Sequence, residues 1–172
     1  PGDGSTTAIL AILRAYKVKG TFFIVGDRAK ANRRYVDAML AEKHLVGTQG
    51  MRGDDLTALS KADMAASIGN SARLVADAIE GLHAVPGPQM RVLRPPQGRC
   101  SQALLDVTRA LGYTVVLWSV DGVSARGKWP EQPVQRICAE VKGGSIIRLS
   151  DSVETTRMLA RLLDRLLESG YE

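Results

Sequence analysis

The chain has few of the residues that usually build metal centres. Its 172 residues include two histidines, His44 and His83, and two cysteines, Cys100 and Cys138. Tetrahedral zinc sites draw on several Cys or His ligands at short spacing, and neither histidine has such a neighbour. The two cysteines are too far apart and too few to build a four-ligand zinc site without histidines. The two cysteines fall in separate predicted helices, and either two buried thiols or one disulfide is compatible with the sequence.

Long hydrophobic runs and aromatic side chains are also scarce. The longest apolar runs, 21–25 and 115–118, are far shorter than the roughly 20 residues of a membrane-spanning helix. Aromatic residues make up 5% of the chain, and the basic residues behind its net charge of +5 are scattered among acidic ones. Such a surface offers few stacking platforms for bases. We therefore expect neither a membrane span nor a nucleic-acid interface.

Two familiar catalytic patterns are incomplete. Gly122, Gly127 and Lys128 have the spacing of a phosphate-binding loop, but Trp129 stands where a hydroxyl would bind magnesium. Ser71 lacks the strand-to-helix elbow that exposes a hydrolase nucleophile. The sequence therefore indicates neither a nucleotide-binding loop nor a serine hydrolase.

Both histidines lie where structural roles are usual. His44 directly precedes the apolar residues 45–46, which predicts a buried or half-buried imidazole bonded to the backbone. His83 is predicted at a helix end, where a cation interacts favourably with the helix dipole.

Apolar runs and amphipathic segments alternate along the chain. The runs typical of buried strands are 21–25, 45–47, 91–94, 114–120 and 145–149. Helical periodicity covers 6–17, 29–43, 60–82, 101–111, 134–141 and 153–169. Ser5 or Thr6 is expected to cap the first helix. The alternation predicts an α/β domain over 1–172 with a mainly parallel sheet, open or rolled into a barrel, and with any site in loops after the strands.

Four segments, in this order, resemble motifs of the polysaccharide deacetylase, or NodB-homology, family. They are YKVKGTFFIVG at 16–26, LRPPQG at 93–98, LWSVD at 117–121 and GGSIIRLSD at 143–151. The resemblance covers nearly the whole chain. It implies a distorted, incompletely closed (β/α) barrel of the polysaccharide deacetylase type, with parallel strands inside and helices outside. It also implies metal-dependent hydrolysis of N-acetyl groups on sugar polymers.

The positions that would react are altered in this chain. By the resemblance, the catalytic base falls at Gly2, the metal ligands at Asp3, Gln49 and Gly53, and the general acid at Ser150. Only the aspartate among these is retained. An amide is a weak neutral ligand and glycine has no side chain, so we expect no tightly bound metal.

Other family positions are kept. The substrate cleft that the resemblance implies would be lined by Arg94, Pro95, Pro96, Gln97, Asp121 and Asp151. Gln97 stands where an aromatic residue usually lines the cleft, while Arg94 and Asp121 match catalytic positions of the family. After Asp121 the chain has Ser124 and Ala125 in place of an acidic and aromatic pair.

A rebuilt metal site is a separate possibility. Asp54, Asp55, Asp121 and Asp151 would favour magnesium or calcium if loops brought them together. The competing interpretation is that these acids are solvated turn residues.

The resemblance and the altered positions together predict an inactive deacetylase-like domain, a pseudoenzyme. It would serve as a structural subunit of a larger assembly or as a module that binds a glycan through Arg94, Gln49, Gln97 and Asp121. The altered substrate wall favours assembly, because a glycan binder would gain from aromatic stacking surfaces. The alternative is a metal-dependent deacetylase.

Cofactor, partner and location follow from that choice. The inactive domain would need no cofactor, and its partners would be other protein subunits or a glycan. The deacetylase would need zinc or another divalent metal. The family implies an extracytoplasmic or secreted location, and a structural subunit implies an organellar or complex-bound one.

Overall fold

The computed structural model describes residues 4–77, 91–123 and 131–171. The helices in these residues are α1 (Ser5–Ala15), α2 (Gly26–Ala29), α3 (Arg33–Ala41), α4 (Lys61–Asp77), α5 (Gln102–Ala110), α6 (Glu131–Glu140) and α7 (Val153–Glu168). The strands are β1 (Thr21–Ile24), β2 (Leu45–Thr48), β3 (Val92–Leu93), β4 (Thr114–Val115), β5 (Val120–Asp121) and β6 (Ile147–Arg148). Several predicted features lie outside the described residues: Gly2, Asp3, His83, Ser124, Ala125, Gly127, Lys128 and Trp129.

The chain divides into two compact units. The terminal unit comprises Pro1–Val18 and Trp118–Glu172, and the central unit comprises Lys19–Leu117. Every described strand pair in both units is parallel, and the pairs form two separate ladders rather than one closed ring. This is the α/β class that the alternating pattern predicts. The assignment of 1–172 to one domain stays a prediction.

The central unit is built on a four-stranded sheet with the order β1-β2-β3-β4. Its register pairs Thr21 with Leu45 and Ile24 with Thr48, so the loops after these strands leave from the same edge. The apolar core beside the sheet comprises Leu56, Met64, Ile68, Leu93, Leu104 and Val107. Burying each large side chain contributes about 1.5–3 kcal/mol. This core fixes the strand ends that carry the first group of predicted site residues.

The terminal unit contains the pair β5-β6, with Val120 opposite Ile147 and Asp121 opposite Arg148. Helices α6 and α7 pack against it through a core of Val120, Val134, Ile137, Met158 and Leu162. Helix α7 begins after Ser152, whose hydroxyl accepts the N–H of Thr155. This N-cap satisfies one of the amide donors left over at a helix start.

Two predicted elements are divided in the structure. The strand predicted over 114–120 is β4 and β5, because the amide of Val116 bonds Leu93 in one ladder and that of Ser119 bonds Ile146 in the other. The helix predicted over 29–43 is α2 and α3, separated by a turn around Asn32. An apolar run alone does not show where a strand changes its hydrogen-bonding partner.

His44 lies where the sequence predicts it. The imidazole is buried, and its Nδ1 accepts the N–H of Gly20 at 3.1 Å. The imidazole and the ring of Phe22 form a T-shaped pair, with an interplanar angle of 73° and 5.3 Å between their centres. Burial, and then the positive charge of Lys19, lower the pKa of His44 from its ordinary value. The prediction of a structural imidazole bonded to the backbone is confirmed.

Both cysteines are free thiols. Cys138 lies half-buried in α6, but Cys100 is exposed and precedes α5, so its predicted place in a helix is wrong. The helix begins later because the hydroxyl of Ser101 caps it by accepting the N–H of Leu104. Among the helices of the described ranges, none has the length and hydrophobicity needed to cross a bilayer.

Candidate functional site

Gln49 and Gly53, the two predicted ligand positions of the central unit, lie in the loop after β2. The backbone N–H of Gln49 bonds the carbonyl of Ile24 at 2.9 Å, which extends the ladder by one residue and leaves the side chain half-buried. Further along, the amides of Gly26 and Asp27 donate to carbonyls of the same loop at 3.0 and 2.9 Å. The start of α2 therefore holds this loop in place.

Gly53 adopts a left-handed backbone conformation with φ of 78°. A Cβ placed there would lie 3.6 Å from Cγ2 of Val25, an ordinary contact, so space is not the obstacle. The obstacle is the backbone, because L-residues pay about 1–2 kcal/mol in this region. Gly53 therefore offers no side chain to a metal. The backbone conformation at this position also disfavours any residue that has a side chain.

Hydroxyl groups that were not predicted to belong to this site hold the loop through hydrogen bonds. Thr48 and Ser71 form a buried hydroxyl pair at 2.6 Å, and the Thr48 hydroxyl also accepts the N–H of Gly50. Ser67, one helical turn before Ser71 on α4, accepts the N–H of Met51 at 3.0 Å. The spacing of the two serines on one helix face is the signal that could have revealed this role.

The loop after β3 carries four of the predicted cleft residues. The guanidinium of Arg94 lies over the ring of Phe23, with 4.2 Å between its central carbon and the ring centre. Pro95 and Pro96 are buried, whereas Gln97 is exposed and has a left-handed φ of 57°. The arginine and the glutamine are the members of this set that present polar groups at the strand end.

The loop acids of the central unit have separate environments. Asp54 is exposed. Asp55 accepts the backbone N–H and the hydroxyl of Thr57 and a guanidinium N–H of Arg99 at 2.7 Å. The Thr57 hydroxyl, followed by Arg99, lowers the pKa of Asp55. Asp55 thus begins a short 3-10 turn, which is the turn role that competes with metal binding for such residues.

In the terminal unit, Asp121 forms a bidentate ion pair with Arg148. The two residues face each other across β5 and β6, with N–H to carboxylate distances of 2.9 Å from Nε and 2.6 Å from Nη2. The N–H of Val123 donates to the same carboxylate at 2.9 Å. Arg148 also lies over the ring of Trp118, at 3.9 Å from the ring centre. Asp121, which the resemblance predicts at a catalytic position, therefore has a charged partner.

Sequence reasoning missed Arg148 as the partner of this acid. The signal was present, since an arginine within the apolar run Ile146–Leu149 needs a partner for its charge. A second arginine, Arg136 of α6, donates to the backbone carbonyl of Asp121. Two basic residues thus hold the end of β5.

Asp151 accepts hydrogen bonds from the first turn of α1. The hydroxyls of Ser5 and Thr6 donate to its two carboxylate oxygens at 2.8 and 2.5 Å. The prediction that one of these hydroxyls caps α1 is wrong, because Gly4 is the N-cap residue and contributes no side chain. Ser150, at the position of the family's acid, lies 3.1 Å from the hydroxyl of Ser152.

The two predicted ligand positions that the structure describes offer a metal no strong donor. Gln49 offers a neutral amide, and Gly53 offers no donor. Within 4–77, 91–123 and 131–171, no three His, Cys, Asp or Glu side chains lie close enough together to share a cation. Asp3, the retained ligand position, lies outside these ranges.

The sequence matches a family model described as polysaccharide deacetylase over residues 2–116. Across 99% of its length it is 27% identical to the chitooligosaccharide deacetylase of Sinorhizobium fredii, of which it covers 83%. It is 28% identical, again over 99% of its length, to the peptidoglycan-N-acetylglucosamine deacetylase of Bacillus cereus, covering 79% of that protein.

Solved structures share the fold. A CE4 family pseudoenzyme from Bacillus anthracis superposes with a TM-score of 0.89 over 100% of this chain, at 23% identity, and this chain spans 59% of its length. A family 4 carbohydrate esterase from Streptomyces lividans gives a TM-score of 0.86 at 25% identity, with 99% of this chain and 85% of that chain covered. These likenesses confirm the predicted fold class, a parallel-stranded α/β fold with an unclosed sheet.

Proposed function

Because the chain belongs to the polysaccharide deacetylase family, we propose that it is a catalytically inactive member whose fold is retained as a structural subunit of a larger assembly. Deacetylation in this family depends on a divalent metal, so the metal-ligand positions decide the question.

The observation that carries the proposal is the state of position 53. Gly53 replaces a ligand with a residue that has no donor, in a left-handed conformation that suits glycine. Gln49 cannot compensate, because a neutral amide is a poor ligand for zinc. A single retained aspartate would have to hold the ion without either imidazole.

The loss of the metal removes most of the chemistry. A bound metal activates water and polarises the carbonyl, and each effect supplies several kcal/mol of transition-state stabilisation. The base position is Gly2, and the acid position, Ser150, has its hydroxyl 3.1 Å from that of Ser152. Each missing proton transfer lowers the rate by roughly 10²- to 10⁴-fold. Restoring one residue would therefore not restore turnover.

Two retained acids have structural partners, which supports a structural role. Asp121 is paired with Arg148, and Asp151 receives hydroxyls from α1. Both acids tie distant parts of the terminal unit together. A subunit kept for assembly needs these ties even when its reaction is lost.

Acetate release tests the inactive state directly. The purified chain, stripped with a chelator and then supplied with zinc, cobalt or nickel in turn, is incubated with chitooligosaccharides and with peptidoglycan fragments. We expect no acetate above the protein-free blank, while the Sinorhizobium fredii enzyme assayed in parallel verifies the conditions. Acetate release that a chelator abolishes, and that Asp3→Ala removes while Asp54→Ala does not, would overturn the proposal.

A metal-dependent deacetylase is the second candidate. It is favoured by the relatives, since the proteins of Sinorhizobium fredii and Bacillus cereus that resemble the chain over 99% of its length are both named deacetylases. On this alternative the same assay yields acetate with at least one metal. Calorimetry gives an independent readout, because a working site would bind zinc at a ratio near one ion per chain.

The glycan-binding version differs from the structural one in a single measurable property. Titration of the chain with chitotetraose in a calorimeter should give no heat of binding if the fold serves assembly alone. Saturable binding by the wild-type chain would favour the glycan module instead. The two versions predict the same absence of acetate, so the titration is what separates them.

A further inference from the structure

Three side chains of the terminal unit form a continuous stack, the Asp121–Arg148–Trp118 cluster. The carboxylate holds the guanidinium by two N–H groups in its plane, and the indole lies against the guanidinium at 3.9 Å. All three residues are half-buried. The cluster lies where β5 and β6 pair, and two of its members are direct cross-strand neighbours.

The geometry makes Arg148 a fixed group rather than a mobile surface side chain. A bidentate contact with a carboxylate fixes the guanidinium plane, and a planar cation also stacks favourably on an indole face. Half-burial keeps the Coulomb attraction stronger than it would be between fully exposed charges. Arg148 therefore occupies a defined position between the acid and the indole.

We propose that Arg148 is a built-in occupant that prevents the terminal unit from binding a neutral sugar at Asp121 and Trp118. Carboxylates and indoles are side chains that commonly bind sugars. A pair of sugar hydroxyls donates hydrogen bonds to the carboxylate, and the apolar face of the sugar ring packs on the indole. Arg148 makes both of these contacts itself. The inference rests on the proposed function and explains why the retained acid would not support glycan binding.

Displacement of the Arg148 guanidinium by a neutral sugar is unfavourable because it breaks an ion pair. A sugar that displaced the guanidinium would take over the hydrogen bonds that Arg148 makes with Asp121, but it would separate these two charges. Separating a partly buried ion pair costs more than a neutral hydroxyl recovers, since charge-assisted hydrogen bonds are about twice as strong as neutral ones. Removing the guanidinium should therefore open the position, and weakening its stack should open it in part.

The experiment uses the whole chain with Trp129, which lies outside the described residues, replaced by Phe, so that Trp118 is the only indole. Arg148→Ala removes the occupant. Arg148→Lys keeps a cation near Asp121 but loses the planar stack and the bidentate contact. Arg165→Ala, on the exposed part of α7, is the matched control. Each chain is measured by acrylamide quenching of tryptophan fluorescence and by calorimetric titration with chitotetraose.

We expect Arg148→Ala to increase quenching and to bind chitotetraose at least about tenfold more tightly than the parent and the Arg165→Ala control. Arg148→Lys should lie between them, and it decides the outcome if the alanine variant fails a circular-dichroism check of folding. Quenching that stays at the parent level, or equal affinities whether all chains bind or none do, would overturn the proposal.

Acetate is assayed in the same samples. Metal-dependent acetate release from the parent chain would overturn the proposed function, whereas the quenching and affinity ratios test Arg148 independently of turnover. The two failures are therefore distinguishable.

Discussion

The conformation of Gly53 can be tested without any ligand, by comparing two glycine-to-alanine substitutions. Gly53 has φ of 78° and room for a Cβ, with Val25 at 3.6 Å. Gly69 lies in the interior of α4 and is exposed, and outside its chain neighbours and the adjacent backbone of its own helix no atom lies within 4 Å of an added Cβ. The two sites therefore differ in backbone conformation, while neither is limited by space.

The expected magnitudes follow from that difference. At Gly53 an alanine pays about 1–2 kcal/mol for the left-handed region and regains about 0.4–1 kcal/mol from the lower entropy of the unfolded chain. The net result is a loss of unfolding free energy of at most about 1.6 kcal/mol, and of about 0.8 kcal/mol at the middle of both ranges. At Gly69 the helical conformation suits alanine, so a gain of about 0.5–1 kcal/mol is expected.

Urea denaturation measures both effects. The midpoint should fall for Gly53→Ala and rise for Gly69→Ala, with the slope unchanged in both, because the surface exposed on unfolding stays the same. A Gly53→Ala chain that is as stable as Gly69→Ala would refute the conformational reasoning. Position 53 could then take a histidine without strain, and the case for an inactive metal site would rest only on the missing donor of Gly53 and the neutral amide of Gln49.

Three further predictions concern stability. Burial and then the positive charge of Lys19 lower the pKa of His44. The neutral imidazole should therefore contribute stability that is present above about pH 6.5. That stability is lost as the pH falls through the folded pKa, because the unfolded chain is protonated first. Urea midpoints between about pH 7.5 and 4.5 should show this fall in the wild type and less of it in His44→Gln. Lys43 has a left-handed φ of 62°, so Lys43→Gly should raise the unfolding free energy by about 0.5–1 kcal/mol. Lys30 has a helical φ of −61°, so Lys30→Gly should lower it by a similar amount. Equal effects of the two substitutions would contradict this reasoning. Asp151→Ala should cost about 1–3 kcal/mol by removing the acceptor of the buried Thr6 hydroxyl, and an unchanged thermal midpoint would argue against that role.

The alternation of strands and helices could be read from the sequence because periodicity is local. The runs at 21–25 and 45–47 became the paired strands β1 and β2, and the capped segment after Ser101 became α5. The two divided elements could not be read, because partner choice depends on residues far along the chain. The run at 114–120 has the same apolar character on both sides of its break.

The candidate site shows the same division. Family motifs place Gln49, Gly53 and Ser150 at altered positions, and that assignment needs only the order of residues. The hydrogen-bonding partners of Asp121 and Asp151 could not be predicted from the order of residues. Asp121 and Arg148 are 27 residues apart, and Thr6 and Asp151 are 145 residues apart.

The sequence by itself determined the family and the α/β class, because these depend on residue types in a fixed order. Only the tertiary structure decided that the backbone of Gly53 is left-handed and that the guanidinium of Arg148 binds the carboxylate of Asp121. Backbone angles and long-range charge pairs are set by the packing of the folded chain, and no local pattern encodes them.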